Sequence, residues 1–301
     1  MTPAAASGAA SGAGPRTARG LAAALPFLCC PICGLELGIA EGSVGCRSGH
    51  RFDVARQGYA SLLRGSAGAG TGDTADMVVA RQAFLDAGHH DALATRIARC
   101  AASLLDPQTG GGCVLDVGAG TGFILAEVLG ALPRHVGIAV DLSKHALRRA
   151  ARAHPRIGAV AADTWEQLPL HDDAVELVLC VFAPRNAEEF HRVLRPGGSL
   201  IVVTPTPRHL AEVVDLLGLV TVDARKPARL ARQLESGLFI RVERSVHEQA
   251  WTLSQDEVEA LVAMGPSARH TDPAAVRWRL RTLPEPVAVT CSVTVSAYRA
   301  V

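Results

Sequence analysis

The chain has 301 residues, a formal net charge of +1 and 49% hydrophobic residues. This length allows one large domain or two unequal ones, and the hydrophobic fraction is ample for a packed core. No apolar stretch approaches the ~20 residues needed to span a bilayer. The small net charge gives no global sign of nucleic-acid binding.

The N-terminal part is predicted to be a tail followed by a small module. Residues 1–20 are rich in Ala, Gly and Ser and are interpreted as a disordered tail. Basic residues before an apolar run faintly resemble a signal peptide, but Pro26 interrupts the run, so we predict a cytoplasmic protein. The predicted division is 21–65 for a metal-binding module, 66–110 for a glycine-rich linker and helix, and 111–301 for a second domain.

Four of the eight cysteines crowd into one short segment, which is not a disulfide framework and indicates a reducing compartment. Cys30 with Cys33 and Cys46 with His50 form two close pairs, and a tetrahedral zinc ion is bound by pairs of this kind. Three thiolates and one imidazole make a closed, structural site, and a small module needs the metal to fold. Cys29 could replace Cys30 with a wider spacing, but the Cys-Pro-x-Cys turn favours Cys30.

Beyond the linker, strand and helix patterns alternate. Ala75–Leu105 has helical apolar spacing. Strands are predicted at 113–117, 136–140, 159–162, 175–181 and 199–203, with helices ending near 132 and at 143–153, 188–194 and 209–217. Residues 239–246 and 287–298 alternate like antiparallel strands and are predicted to form an edge hairpin. The pattern indicates an α/β, Rossmann-like, doubly wound parallel sheet.

The clearest binding signal is a glycine-rich turn after the first strand of this domain. Val114–Gly122 reads VLDVGAGTG, in which a strand leads into a turn and then a helix. Glycines let the backbone approach a ligand, and the helix N-terminus favours negative charge. Asp141 ends the next strand, where a carboxylate can accept both ribose hydroxyls. Asp163 ends the third strand, where it can accept from an adenine amino group.

These landmarks, with Leu194–Gly198 (LRPGG) before the fifth strand, resemble class I S-adenosylmethionine-dependent methyltransferases across residues 111–203. The resemblance implies S-adenosylmethionine as cofactor. Its sulfonium carries a methyl group open to in-line attack, so the protein mainly aligns donor and nucleophile and excludes water. The cofactor-binding residues predicted here are Asp116, Gly118, Gly120, Thr121, Gly122, Phe123, Asp141 and Asp163.

Further motifs narrow the resemblance. They are Cys30–Cys33 with Cys46 and His50, Phe52–Tyr59 (FDVARQGY), Gly72–Thr74, Arg81–His89 (RQAFLDAGH), Val140–Lys144 (VDLSK), Phe182–Pro184 (FAP) and Thr204–Leu210 (TPTPRHL). Together they resemble bacterial 23S rRNA guanine-N1 methyltransferases, including the actinomycete branch linked to tylosin and mycinamicin resistance. The resemblance covers residues 28–212.

This second resemblance implies methyl transfer to N1 of a guanine in a 23S rRNA hairpin near the peptide exit tunnel, with macrolide resistance as a biological purpose. It implies that His90 and His209 flank the cofactor, although the family often has tyrosine at the position of His90. Loss of the N1 proton calls for an acceptor. Asp73, Asp76 and carbonyl groups near Pro184 are candidates, and the sequence assigns no catalytic residue.

Two groups of arginines suit RNA phosphates. They are Arg47, Arg51, Arg56 and Arg64 near the module, and Arg148, Arg149, Arg152 and Arg156 in a helix. A helix face is often merely solvated, so the first group is favoured.

Two other classes of protein stay open. One is a small-molecule methyltransferase, which has no need of the zinc module. The other is a non-catalytic zinc protein that binds RNA, and the intact glycine turn argues against it. A homodimer is kept as a candidate assembly.

Overall fold

The computed structural model describes residues 16–40, 42–64, 72–105, 111–217, 234, 237–282 and 285–301. Residues 1–15 of the predicted tail and 65–71 of the predicted linker lie outside these ranges. The described helices are α1 Arg16–Ala24, α2 Ala75–Asp86, α3 Asp91–Leu104, α4 Phe123–Ala131, α5 Lys144–Ala153, α6 Ala187–Val193, α7 Ala211–Leu217, α8 Gln255–Ala263 and α9 Pro273–Leu280. The described strands are β1 Leu37–Ala40, β2 Ser43–Cys46, β3 Arg51–Asp53, β4 Tyr59–Ser61, β5 Cys113–Val117, β6 Val136–Asp141, β7 Ile157–Ala161, β8 Val175–Val181, β9 Leu194–Pro205, β10 Phe239–Leu253 and β11 Val287–Ala300.

Eight strands form the main sheet in the order β10-β11-β9-β8-β5-β6-β7-β4. The strands from β9 to β4 in this order are parallel, and β10 and β11 are antiparallel. Every residue of the central strand β5 is buried, which is typical of a parallel strand covered on both faces. The predicted α/β, Rossmann-like fold is therefore confirmed, with a hairpin at the edge. No described helix is long and apolar enough to cross a bilayer.

Helix α1 begins at Arg16, so the predicted disordered tail does not extend to residue 20. Leu21 and Ala24 are buried against β7. A Cβ on Gly158 of β7 would lie 2.4 Å from the Ala24 Cβ, so the helix and the strand approach closely. The apolar run that resembles part of a signal peptide forms the face of α1 that packs against β7. Burial of that face stabilises the helix.

The cysteine-bearing segment has its own antiparallel sheet of β1, β2 and β3. The next strand, β4, belongs to the main sheet, where Tyr59–Ser61 pairs in parallel with Ala159–Ala161 of β7. Residues 59–61, which the sequence analysis assigns to the module, thus connect it to the methyltransferase-like domain by backbone hydrogen bonds.

The predicted helix Ala75–Leu105 is two helices, α2 and α3. Gly88 lies between them with a φ of +81°, a conformation that favours glycine and ends α2. Two further helices, α8 and α9, lie between the edge strands and were not predicted. A capping box of Ser254 and Glu257 begins α8, and this S-x-x-E spacing was the signal that could have found it.

Candidate cofactor cleft and metal centre

Four candidate metal ligands gather at two turns of the cysteine-bearing segment. The ligand atoms of Cys30, Cys33, Cys46 and His50 all lie within 4.8 Å of one another. The Cys33 and Cys46 Sγ atoms are 3.6 Å apart, and His50 Nδ1 lies 3.4 Å from Cys46 Sγ and 3.5 Å from Cys30 Sγ. Zinc–ligand bonds of ~2.0–2.3 Å in a tetrahedron separate the ligand atoms by roughly 3.5–3.8 Å. The observed cluster therefore fits a zinc ion.

Each turn supplies two of these ligands. The Gly34 N–H donates to the Cys30 carbonyl at 2.8 Å, and the Gly49 N–H donates to the Cys46 carbonyl at 3.0 Å. These bonds curl the chain so that ligands three or four residues apart face the same point. Cys29 is not part of the cluster, so the structure places Cys30, and not its rival, at the predicted position.

The thiols of the cluster differ in acidity. The Leu35 backbone N–H donates to Cys33 and is the main reason that the pKa of Cys33 is lowered to about 6. Burial instead raises the pKa of Cys30.

The glycine-rich turn leaves the carboxyl end of β5 and leads into α4. Gly118 has a φ of +67°, and a Cβ on it would lie 2.7 Å from the Ala183 Cβ in the loop after β8. Gly122 is the N-cap of α4. Position 118 therefore requires glycine both for its backbone angle and for space.

Asp141, at the end of β6, joins two turns of the cleft. Its carboxylate accepts the Gly120 N–H at 2.8 Å and the Ser143 N–H at 2.7 Å. Burial raises its pKa. Asp116, which lies in β5 and is 2% exposed, has a pKa raised to about 8 by burial and by the charge of Asp141. Each Asp141 oxygen keeps a lone pair for a further donor such as a ribose hydroxyl.

His90 and His209 lie close enough to influence each other electrostatically. Burial lowers the pKa of both to about 4, and His209 is the next cause of the shift at His90. His209 Nδ1 accepts the Ser292 N–H at 3.2 Å, so its proton lies on Nε2. Its ring stacks on Phe182 with centroids 5.8 Å apart. Phe182, which the sequence analysis noted in a motif but did not assign to the site, has a φ of +55° and is 44% exposed.

The remaining predicted cofactor residues occupy two places. Asp163 follows β7, which is the parallel neighbour of β6, so Asp163 shares the carboxyl edge with Asp141. Its Oδ1 accepts the Trp165 N–H at 2.9 Å. Thr121 and Phe123, which continue the glycine turn into the start of α4, line a cleft beside α5.

Asp73, one candidate proton acceptor, is already paired. Its Oδ2 lies 2.7 Å from Arg81 Nη2, and Arg81 also donates to the Met264 carbonyl at 3.0 Å. The Ser143 hydroxyl donates to the Asp73 carbonyl at 2.6 Å. Asp76 is exposed on α2. Arg81 was not predicted as a site residue, although it lies in the RQAFLDAGH motif, because one of its partners, the Met264 carbonyl, is distant along the chain.

The two arginine groups have different surroundings. All four arginines of the first group, Arg47, Arg51, Arg56 and Arg64, are exposed. In the second group, Arg156 donates to the Leu132 carbonyl at 2.8 Å and so satisfies the C-terminal end of α4. Arg156, a member of the less favoured group, therefore has a structural role in this fold.

A parallel sheet with a glycine turn after its central strand and an acid at the end of the next strand defines a class I S-adenosylmethionine-dependent methyltransferase, here with an N-terminal zinc ribbon. Two family models agree with this class. The methyltransferase domain model matches residues 114–198. The zinc-ribbon model described as "RlmA, N-terminal" matches residues 28–64.

Similar proteins extend the match to almost the whole chain. A putative 23S rRNA (guanine-N(1)-)-methyltransferase of Micromonospora griseorubida is 51% identical and covers 91% of this chain and 98% of that protein. The 23S rRNA (guanine(748)-N(1))-methyltransferase of Streptomyces fradiae is 46% identical and covers 91% and 96%. The ubiquinone/menaquinone biosynthesis C-methyltransferase UbiE of Syntrophotalea carbinolica is 36% identical over 31% of this chain and 44% of that protein. The chain belongs to the family of bacterial 23S rRNA (guanine-N1) methyltransferases.

Proposed function

We propose that this protein transfers the methyl group of S-adenosylmethionine to N1 of a guanine in 23S rRNA. The observation that carries the proposal is the similarity to two named rRNA methyltransferases over 91% of the chain. The matched quinone methyltransferase covers 31% of the chain, so a small-molecule substrate leaves the zinc ribbon unexplained. We extend the proposal to a hairpin near the peptide exit tunnel, to a cytoplasmic location and to macrolide resistance.

When bound, S-adenosylmethionine would supply a sulfonium-activated methyl group: the C–N bond to guanine N1 forms as the C–S bond breaks, S-adenosylhomocysteine leaves, and the N1 proton passes to water. Asp141 accepts the ribose hydroxyls with its free lone pairs, beside the glycine turn whose Gly120 N–H it also binds. His90 and His209 are neutral at pH 7, so they can pack near a sulfonium without charge repulsion. Phe182 offers an exposed ring on which a splayed-out base can stack.

The zinc ribbon has a structural role in this proposal. Cys30, Cys33, Cys46 and His50 occupy all four positions of a tetrahedral ion, which leaves none for a substrate. The ion would supply folding free energy to the segment before β4. The segment then presents its exposed arginines to RNA.

The test is reverse transcription of 23S rRNA from cells with and without the gene. N1 methylation blocks base pairing, so we expect one new stop next to a guanine when the intact gene is present. The same gene carrying Asp141→Ala is the control, and it should remove the stop. Absence of any new stop in 23S rRNA from cells that contain the folded protein would refute the proposal. Tylosin sensitivity of the same strains tests the resistance role separately.

A further inference from the structure

A cleft of about 470 Å³ opens between α2, the start of α4 and one side of α5. Arg148, Arg149 and Arg152 of α5 line it. Arg152 lies three and four residues after the other two, so it is a neighbour of both on the helix surface. One carboxylate, that of Asp86, also lines the cleft, and it accepts a hydrogen bond from Gln82 Nε2 at 2.8 Å. The lining is therefore strongly positive on its α5 side.

Two buried polar atoms at this cleft have no partner. Thr121 is 4% exposed, and its hydroxyl forms no hydrogen bond. The Nε of Arg148 is likewise buried and unpaired. Among the described residues, none forms an ion pair or hydrogen bond with the side chains of Arg148, Arg149 or Arg152. Because buried donors nearly always have an acceptor, these two groups are available to an acceptor that enters the cleft.

The start of α4 adds to the positive potential. Phe123 and Ala126, from its first turn, line the same cleft, and the first N–H groups of a helix carry partial positive charge. On α5, burial and then the charges of Arg148, Lys144 and Arg149 lower the pKa of His145. The cleft thus combines fixed charges with a helix N-terminus, which is an arrangement that binds phosphate groups.

We propose that this cleft binds a backbone phosphate of the RNA substrate through the guanidinium groups of Arg148, Arg149 and Arg152 and the Thr121 hydroxyl. The inference rests on the proposed function, which supplies the RNA. The planar forks of arginine match phosphate oxygens. Helix α5 also packs against β7 and β4, the strands at the sheet edge that leads to the zinc ribbon, so one RNA molecule can contact both places.

The experiment measures binding of a 23S rRNA fragment at several KCl concentrations. The variants are Arg148→Gln, Arg149→Gln, Arg152→Gln and the triple combination, since glutamine keeps helix propensity while it removes charge. The control is Arg99→Gln, an exposed arginine on α3. We expect each change in α5 to reduce the slope of log affinity against log salt by about 0.7–0.9. Arg99→Gln and the charge-preserving triple Arg→Lys variant should keep nearly the wild-type slope.

Each outcome decides the inference. Calorimetry with S-adenosylmethionine should give the wild-type affinity for every α5 variant, which shows that the fold is intact. A triple Gln variant that binds cofactor and keeps the wild-type salt slope overturns the inference. Binding of inorganic phosphate to the cleft, lost in the triple variant without any change in RNA binding, also overturns it, because the ligand would then be a free anion. The measured quantity is RNA affinity, so the salt slopes test this inference whether or not the protein methylates rRNA. A failure to methylate rRNA would refute the proposed function.

Discussion

At the scale of single residues, Asp141 is held in place by two backbone groups of the cofactor cleft. Its carboxylate is bound by the N–H groups of Gly120 and Ser143, and these hold its oxygens at the carboxyl edge of the sheet. A side chain oriented in this way loses little entropy when a ribose binds. We therefore expect its contribution to cofactor affinity to be that of a hydrogen bond to a charged group.

Asp141→Ala should weaken binding of S-adenosylmethionine by ~1.5–3 kcal/mol. Calorimetry on the folded variant measures the change, and Asp215→Ala, at an exposed carboxylate on α7, is the matched control. An unchanged dissociation constant in Asp141→Ala would show that the ribose is held elsewhere.

His90 gives a prediction about pH. Its pKa falls from 6.5 to about 4, chiefly because of burial, so between these values the unfolded chain binds a proton that the folded chain does not. The stability of the folded state is therefore fully present above pH ~6.5 and decreases as the pH falls toward 4, by about 3 kcal/mol for this group.

Replacing His90 with Tyr should make the loss of stability between pH 7 and pH 4.5 smaller than in the wild type. Urea unfolding at several pH values measures it. Protonation of the zinc ligands affects both proteins equally, so the difference between them isolates His90. Parallel pH curves for the two proteins would contradict the assigned burial.

At the scale of elements, glycine has a different role in the turn between β5 and α4 than it has within α4. Gly118 has a positive φ and contacts the loop after β8, whereas a Cβ on Gly130, within α4, would meet nothing within 4 Å. The same substitution should therefore have opposite effects at these two sites.

Gly118→Ala should destabilise the protein and weaken cofactor binding, because the turn has to shift away from Ala183. Gly130→Ala should stabilise it by ~0.5–1 kcal/mol through helix propensity. Thermal unfolding of both variants, with and without cofactor, measures the pair. Destabilisation by both changes to the same extent would mean that the space around Gly118 is not limiting.

The zinc ribbon is an element whose ligands can be tested against an adjacent cysteine. We expect about one zinc per chain, bound by the cluster that contains Cys33. Cys33→Ser should reduce zinc content and RNA methylation and leave cofactor affinity nearly intact, because the cofactor edge lies in the other sheet. Cys29→Ser, outside the cluster, should keep the metal. Freshly purified wild-type protein without zinc would exclude the metal centre.

At the scale of the whole molecule, the proposed function requires RNA to contact both the zinc ribbon and the cofactor edge. Strand β4 connects them through backbone pairing with β7, so the ribbon is held against the domain at a defined position. Arg51 begins β3, the last ribbon strand, and Arg56 follows that strand; both are exposed, which suits contact with a phosphate backbone.

Arg51→Ala and Arg56→Ala should each reduce the salt slope of RNA binding by about one unit and leave cofactor binding unchanged. RNA affinity at several salt concentrations measures this, with Arg99→Ala on α3 as control. Wild-type slopes in both variants would place the RNA contacts away from the ribbon, at the α5 cleft.

The sequence alone determined the features that depend on near neighbours along the chain. The spacing of Cys30, Cys33, Cys46 and His50 indicates a zinc site because each turn supplies two ligands. The alternation of apolar strands and helices predicted the parallel sheet, and the strand before Gly118 located the glycine turn. Local spacing and backbone angles suffice for these features.

Only the tertiary structure decided which residues meet across long separations. It showed that Arg156 satisfies the end of α4 while Arg148 stays unpaired in a cleft. It also joined Arg81 to the Met264 carbonyl and stacked His209 on Phe182. The role of a side chain depends on the groups that surround it after packing. The spacing of residues along one helix or strand does not specify those groups, because they come from other elements.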